Sequence, residues 1–163
     1  MNILLDTCTI LWLQLEPSRV PAALRKILLK PETRRYSSAA AAWEIAIKWS
    51  LGKLPLPVPP HEFMRRLRTE SLVESLPIDE ASVLQVTKLP GLHNDPFDRI
   101  QISQSIEHSL ILATPDPLIR QYAVRTIWEL TLLHRPPIWR IMRWKFVETR
   151  SGTGLAGAFC EFY

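Results

Sequence analysis

Short segments with the character of strands alternate with helical segments along the first 128 residues. The strand-like segments are the short runs at 2-6, 72-78, 110-114 and 124-128, which are rich in apolar residues, and a short extended piece at 34-38. Apolar residues recur at helical spacing between them, which predicts helices at 7-15, 20-30, 39-52, 61-69, 79-89 and 115-122, and one that opens at Asp95. This alternation is typical of an α/β fold with about five short, mostly parallel strands sandwiched by helices.

Capping residues support several of these boundaries. Ser38 and Asp79 have side chains that accept a hydrogen bond from the first turn of a helix, so both are predicted N-caps. Gly52 can adopt the left-handed conformation that ends a helix. In parallel sheets, ligands bind beyond the carboxyl ends of the strands, so the residues that follow each strand are the candidates for chemistry.

Composition narrows the class of protein only moderately. A chain of 163 residues with 47% apolar residues suits one folded domain with a hydrophobic core. The net charge of +4 is a slight indication of an anionic partner. No apolar run approaches the roughly 18 residues of a membrane span. The first six residues lack the basic region of a signal peptide. The chain has two cysteines, Cys8 and Cys160, which are compatible with reduced thiols, so a cytoplasmic protein is expected.

Acidic residues occur where such a sheet binds ligands. Asp6 follows the first strand, Asp116 follows the fourth, and Asp95 and Asp98 open the helix between them. Glu44 lies among apolar residues of a predicted helix. Each has a plainer interpretation: Asp116 as a turn residue, Asp95 as an N-cap, and Glu44 on a solvent-facing side.

Together these acids predict a metal site. Converging carboxylates repel one another and raise one another's pKa values, and a divalent cation removes that conflict. Oxygen ligands favour a hard ion such as Mg²⁺ or Mn²⁺, whereas His61, His93 and His108 do not have zinc-site spacing. Such a cation suits phosphoryl transfer, because it lowers the pKa of bound water and neutralises charge on a phosphate.

Five segments resemble the PIN-domain ribonucleases, and more narrowly the VapC-type toxins of bacterial and archaeal toxin–antitoxin pairs. They are 3-ILLDTC-8, 43-WEIAIK-48, 93-HNDPFDRIQISQ-104, 112-LATPD-116 and 124-VRTIW-128. The resemblance covers about residues 2–128 in the expected order, and the DPFDR block is fairly specific. It implies a PIN-like α/β nuclease domain over 1–128 and a metal-dependent endoribonuclease activity.

The resemblance also implies roles for individual residues. The acidic catalytic set maps onto Asp6, Glu44, Asp98 and Asp116. Of these, the three aspartates would hold one or two Mg²⁺ ions, with Mn²⁺ as a substitute, and Glu44 would be a ligand or orient water.

Three further residues are implied in supporting roles. Thr7 and Thr114 would orient ligands or water. Asp95 belongs to the motif, but we expect it to cap the helix and shape the loop rather than to bind the metal.

Several basic residues are candidates for contact with RNA. Lys48, one helical turn beyond Glu44, would either pair with Glu44 or touch a phosphate. Arg65 and Arg66 are candidate backbone contacts, although a solvated charged face is the plainer interpretation. Arg99 is expected to pair with a neighbouring acid.

The implied partners are an RNA substrate, a cognate antitoxin that blocks the site, and a second copy of the chain in a homodimer; no membrane is involved. Apolar residues of the first two helices form either a groove for the antitoxin or simply part of the core: Trp12, Leu13, Leu15, Val20, Leu24 and Leu28.

Two other functions are compatible with parts of the sequence. Asp6 could be the nucleophile of a phosphatase on the haloacid dehalogenase plan, but that plan needs an acid two residues on, where Cys8 stands. A non-catalytic module that merely holds a cation would be favoured by loss of one acid, and all four positions are filled.

Two departures from the family pattern stand out. Ser103 and Ser105 occupy positions where small apolar residues are commoner, which is expected to affect packing only. Residues 129–163 extend past the usual end of such proteins, either as a disordered or packed extension or as a non-native continuation of the reading frame. The extension is expected to be dispensable for folding and chemistry, and its segment 139-WRIMRWKF-146 could stack on RNA bases.

Overall fold

A computed structural model describes residues 1–129, in which five strands form one parallel sheet. The strands are β1 (Asn2–Leu5), β2 (Arg34–Ser38), β3 (Val73–Leu76), β4 (Ile111–Ala113) and β5 (Thr126–Ile127). Their order across the sheet is β3-β2-β1-β4-β5, and every neighbouring pair is parallel. The predicted α/β fold is confirmed.

Helices connect the strands and cover the sheet. In the described part of the chain they are α1 (Thr7–Leu15), α2 (Ala22–Leu28), α3 (Ala39–Ser50), α4 (Pro60–Glu70), α5 (Glu80–Gln85) and α6 (Pro96–Glu107). Ser38 caps α3 and Asp79 caps α5, as predicted.

Two predicted helices are shorter than expected. The helix predicted at 79-89 changes to a 3-10 turn at Val86, and it ends at Leu89, whose backbone is extended because Pro90 disfavours helical backbone at the residue before it. The helix predicted at 115-122 is reduced to a 3-10 turn at Ile119–Gln121. These corrections place irregular backbone immediately before α6 and after β4, which is where the acidic residues lie.

The central strand β1 packs on both of its faces. Ile3 and Leu5 belong to a core cluster with residues of α1, α2, α3 and α4. Leu4 belongs to a second cluster with residues of α6, β4 and the segment after it. Successive side chains of a strand point to opposite faces, so this alternation shows helical layers on both sides of β1.

The site lies at the carboxyl end of β1. From β1 the chain continues to β2 on one side of the sheet, and β4 is the neighbour of β1 on the other side. The strand order therefore reverses direction at β1, and a crevice opens at the carboxyl ends of the strands at such a point. The backbone N–H of Asp6 donates to the carbonyl of Ala113 at 3.1 Å. The residues that follow β1 and β4 are therefore held against each other.

The apolar residues of the first two helices mostly belong to the core. Four of the six groove candidates are buried: Trp12, Val20, Leu24 and Leu28. Leu15 is exposed by contrast. Trp128 is also buried, with its ring 5.6 Å from that of Trp12, so the end of β5 contributes to the same core.

The remaining features of the fold concern α6 and the extension. Ser103 and Ser105 are buried, and their hydroxyl oxygens have no hydrogen-bond partner among residues 1–129. Such unpaired hydroxyls destabilise a core slightly.

Within residues 1–129, no helix is long and apolar enough to cross a membrane. The predictions for 130–163 lie outside the described residues and stay predictions.

Candidate functional site

Asp6 connects the central strand to the first helix. It is the N-cap of α1, and its carboxylate accepts hydrogen bonds from the N–H groups of Cys8 at 2.5 Å and Thr9 at 3.1 Å. Burial raises the pKa of Asp6 to about 6, against the effect of a hydrogen bond from Thr114 and these N–H groups; the charge of Glu44 adds to the rise. The buried Asp6 carboxylate therefore favours a nearby positive charge.

Glu44 reaches the same region from the middle of α3. The hydroxyl of Thr7 donates to Glu44 Oε2 at 2.6 Å, and the ammonium of Lys48 forms an ion pair with Oε1. Thr7 itself accepts a hydrogen bond from the amide of Gln101 at 3.3 Å. Both oxygens of Glu44 are thus oriented, and the ion-pair interpretation of Lys48 is the one that the structure shows.

Asp98 lies in the first turn of α6, directly after the cap. Asp95 is the N-cap and accepts the N–H of Phe97 at 2.8 Å, as predicted. The pKa of Asp98 is raised to about 8, chiefly by burial; the negative charges of Asp6, Asp95 and Glu44 contribute to the rise, and His93 opposes it. Asp98 is therefore the point at which the charges of the other acids converge.

Asp116 combines a turn with a charged contact. Its Oδ1 accepts the N–H of Leu118 at 2.7 Å, and its own N–H donates to the hydroxyl of Thr114 at 3.1 Å. Burial raises the pKa of Asp116, but hydrogen bonds from His93 and Leu118 more than offset this and leave it below its usual value. The turn interpretation and the site interpretation of Asp116 are therefore compatible.

The structure adds His93 to the site. This buried histidine places Nε2 3.2 Å from Asp98 Oδ2 and 3.2 Å from Asp116 Oδ2. Ligating atoms of these three side chains lie within 4.8 Å of one another. Sequence analysis missed His93 because it tested histidines only for zinc spacing. The available signal was its position at the start of the 93-HNDPFDR block.

Arg99 does not pair with an acid as expected. Its guanidinium donates to the backbone carbonyls of Pro90 and His93 at 2.9 and 3.2 Å, and to those of Val86 and Leu89 at 3.0 and 3.3 Å. These carbonyls belong to the 3-10 turn at Val86 and to the irregular loop that follows it. Arg99 therefore holds the loop that carries His93.

The other basic candidates are engaged on their own helix. Arg65 and Arg66 lie on α4, where they pair with Glu62 at 4.0 and 2.5 Å. Both arginine side chains are exposed, which is the arrangement of a solvated charged face.

The donor set fits a hard divalent cation. Asp98 and Asp6 both have raised pKa values because their carboxylates are buried near like charges. A cation beside them would restore the ionised forms at neutral pH. The carboxylate oxygens are the ligands that Mg²⁺ and Mn²⁺ prefer.

Comparison with known proteins identifies the family. The sequence matches the PIN domain family over residues 3–125. This chain belongs to the PIN domain family. No protein of curated function matches the sequence of this PIN domain.

Solved structures share the fold of this PIN domain. VapBC2 from Rickettsia felis, bound to a DNA fragment from its promoter, has a TM-score of 0.62 at 14% identity, covering 79% of this chain and 100% of that chain. DNA-bound VapBC from Salmonella typhimurium has a TM-score of 0.54 at 15% identity, with coverages of 78% and 97%. VapBC-1 from nontypeable Haemophilus influenzae has a TM-score of 0.53 at 19% identity, covering 78% of this chain and 97% of that chain. At these identities the likeness shows the fold alone.

Proposed function

We propose that this PIN domain is a divalent-metal-dependent endoribonuclease, the VapC-type toxin of a toxin–antitoxin pair. The observation that carries the proposal is the clustering of Asp98 and Asp116 at one edge of the sheet, where the negative charges of Asp6 and Glu44 also act on Asp98 and raise its pKa. A fold stabilised for its own sake gains nothing from placing like charges together in a buried crevice. A nuclease that binds a metal there does.

Asp6, Asp98 and Asp116 are proposed as the metal ligands, with Mg²⁺ as the ion and Mn²⁺ as a substitute. When bound, the cation lowers the pKa of water and neutralises charge on the scissile phosphate. Glu44 is proposed to orient that water or to act as a further ligand. The hydrogen bond from Thr7 at 2.6 Å and the ion pair with Lys48 support such a role, since together they restrict the Glu44 carboxylate to one orientation.

Thr114 is proposed to link two of the ligands. It donates to the carboxylate of Asp6 and accepts the N–H of Asp116 at 3.1 Å. A hydroxyl used in both directions holds the end of β1 at a constant distance from the turn after β4. That arrangement favours a preformed site rather than one assembled by the metal.

RNA is the proposed substrate. The net charge of +4 favours an anionic partner. Trp43, adjacent to Glu44, is 60% exposed and packs edge-on against Phe97, with 5.2 Å between the rings. An exposed aromatic ring at the rim of the site provides a surface on which an unpaired base can stack. Lys48 is the proposed phosphate contact nearest the acids, and Arg65 and Arg66 are more distant candidates.

An antitoxin, a homodimer and a cytoplasmic location complete the proposal. The solved structures similar to this chain include VapBC complexes bound to DNA, which supports a protein partner of the same kind. The antitoxin is proposed to block the acidic crevice, and a second copy of the chain is proposed to form the dimer.

The test of the activity is cleavage of structured and single-stranded RNA by the purified protein. Cleavage should require Mg²⁺ or Mn²⁺ and stop with EDTA. Ca²⁺ should substitute poorly, because its longer and looser coordination misplaces the reacting groups. Full cleavage in EDTA would overturn the metal-dependent mechanism. Tight Mn²⁺ binding without cleavage of any RNA would instead favour the non-catalytic module.

The extension requires a separate test. We propose that 129–163 is dispensable for folding and for the chemical step, since the last of the proposed catalytic residues is Asp116. A chain that ends at Trp128 should therefore match the full protein in thermal melting and in cleavage rate at saturating RNA. If the extension contributes to RNA binding, its removal should lower the affinity for RNA and weaken the salt dependence of that affinity. An insoluble or much less stable truncated chain would show that the domain boundary is misplaced.

A further inference from the structure

We infer that His93 is a positioning residue, which donates its Nε2–H to Asp116 beside Asp98 and does not itself ligate the metal. The inference rests on the proposed metal centre and assigns a role within it. Separations of 3.2 Å from Nε2 to both carboxylates do not decide the matter alone. Two ligands of one cation with bonds of about 2.1 Å would also lie roughly 3 Å apart.

The other ring nitrogen decides between these alternatives. Nδ1 of His93 lies 3.1 Å from the backbone N–H of Asp95, which donates to it. A donor can face only an unprotonated nitrogen, so in the neutral ring the proton is on Nε2. A protonated Nε2 has no lone pair for a metal. It is instead a hydrogen-bond donor to Oδ2 of Asp116, with Oδ2 of Asp98 also 3.2 Å away.

The ring is held in this orientation from several directions. The backbone N–H of His93 donates to the hydroxyl of Tyr122 at 2.7 Å, and its carbonyl accepts from Arg99 at 3.2 Å. Tyr122 also donates to the carbonyl of Pro90 at 3.2 Å. Asp95, which contacts Nδ1, is itself constrained as the cap of α6. Turning the ring to offer a lone pair to a metal would therefore break the Asp95 contact within a buried loop.

This arrangement has a consequence for metal choice. With His93 as a donor, the ligands from the chain are carboxylate oxygens alone, which favours Mg²⁺ and Mn²⁺. The Nε2–H also orients Oδ2 of Asp116 beside Oδ2 of Asp98 before a cation arrives. Asp116 then has both oxygens oriented, because Leu118 N–H holds Oδ1. Loss of the donor should therefore weaken metal binding even though no ligand is removed.

The tautomer can be measured directly in the metal-free protein. Histidine-selective ¹⁵N labelling and long-range ¹H–¹⁵N correlation spectra at neutral pH distinguish a protonated Nε2 from a protonated Nδ1. The His93 signals are assigned by their loss in His93→Gln. We expect the Nε2–H pattern for this residue. The Nδ1–H pattern would overturn the inference, because that tautomer leaves Nε2 available as a ligand.

Mn²⁺ binding provides the second arm. His93→Gln retains an N–H donor near the position of Nε2, whereas His93→Ala removes it. Affinity should stay within about 3-fold of wild type in the glutamine variant and fall by about 10-fold or more in the alanine variant. His61→Gln on α4, an exposed position, is the matched control and should bind like wild type. Melting in EDTA shows whether each variant is folded.

The spectrum of bound Mn²⁺ separates a ligand from a donor. Pulsed electron paramagnetic resonance of the wild-type complex should show no ¹⁴N coupling of a directly bound imidazole. A strong ¹⁴N coupling that disappears in His93→Gln would overturn the inference, as would glutamine and alanine variants that lose affinity equally. Failure of wild-type protein to bind Mn²⁺ would overturn the proposed metal centre instead, while the ¹⁵N measurement still tests the tautomer.

Discussion

Two sides of the acidic crevice differ in how their charges are compensated. On the Glu44 side (Thr7, Glu44 and Lys48), the carboxylate has a hydroxyl donor on one oxygen and an ammonium on the other. On the Asp98 side (His93, Asp98 and Asp116), Nε2 of the histidine lies 3.2 Å from an oxygen of each aspartate. Among residues 1–129, neither aspartate has an ion pair with an arginine or a lysine.

Burial accounts for one part of this difference. The side chain of Glu44 is 7% exposed and that of Asp98 is 22% exposed, so the more buried carboxylate is the one with a cationic partner. The Asp98 side instead concentrates negative charge from Asp6, Asp95 and Glu44. A divalent cation would supply the positive charge that no lysine or arginine of residues 1–129 gives to the Asp98 side, which is the role proposed for Mg²⁺.

The largest effect is expected from removing charge on the Asp98 side. Asp98→Asn should abolish cleavage and leave the fold intact, because the amide keeps the shape and loses the charge that binds the cation. Asp95→Asn should have a much smaller effect, since asparagine is an equally good N-cap. The measurements are cleavage rate and thermal melting of both variants. An inactive Asp95→Asn beside an active Asp98→Asn would reverse the assignment within the motif.

The pH dependence of stability should report the same uncompensated charge. Burial raises the pKa of Asp98 to about 8 and that of Asp6 to about 6, from an ordinary value of 3.8. The folded state therefore binds these protons more tightly than the unfolded state. The stabilising contribution of these two groups to the metal-free protein should be fully present below about pH 4 and be lost as the pH rises towards about 8.

Thermal melting in EDTA across this pH range measures the effect. Mn²⁺ should stabilise the protein most at the alkaline end, where the carboxylates are ionised, and so flatten the profile. Asp98→Asn in EDTA should lose the part of the decline between about pH 6 and 8. A metal-free protein whose melting temperature rises from pH 5 to 8 would contradict the raised pKa values.

A smaller effect is expected from breaking the compensated side. Lys48→Met keeps the packing of the side chain but leaves the buried Glu44 without its ammonium. The free energy of unfolding at pH 7 should fall by about 1 to 3 kcal/mol, less than for a fully buried pair because Lys48 is partly exposed. Lys26→Met, at an exposed position on α2, is the matched control. Equal denaturation midpoints for the two variants would show that the ion pair contributes nothing.

The fold was predictable because its signals are local. Apolar residues with strand and helix periodicity identified the five strands and most of the helices, and Asp95 and Asp79 were correctly predicted as caps. Boundaries were less accurate: β5 covers only Thr126–Ile127, within the predicted 124-128. Hydrogen bonding to a neighbouring strand decides such limits, and sequence periodicity does not contain that information.

The candidate site was predictable in its acids and not in their partners. The position of Asp6 and Asp116 after adjacent parallel strands follows from the order of elements along the chain. Arg99 was expected to pair with an acid, but it hydrogen-bonds backbone carbonyls of the loop before α6. An arginine can satisfy either kind of acceptor, and only the path of the loop determines which one is within reach.

The sequence by itself determined the alternation of strands and helices, the caps and the placement of carboxylates at the carboxyl edge of the sheet. Only the tertiary structure decided that His93 joins Asp98 and Asp116, and that Lys48 forms its ion pair with Glu44. The conformation of the loop with His93 depends on Tyr122 and Arg99, which contact it from outside the loop. The raised pKa of Asp98 depends on burial by the assembled layers, and neither burial nor long-range contact is encoded in a local pattern.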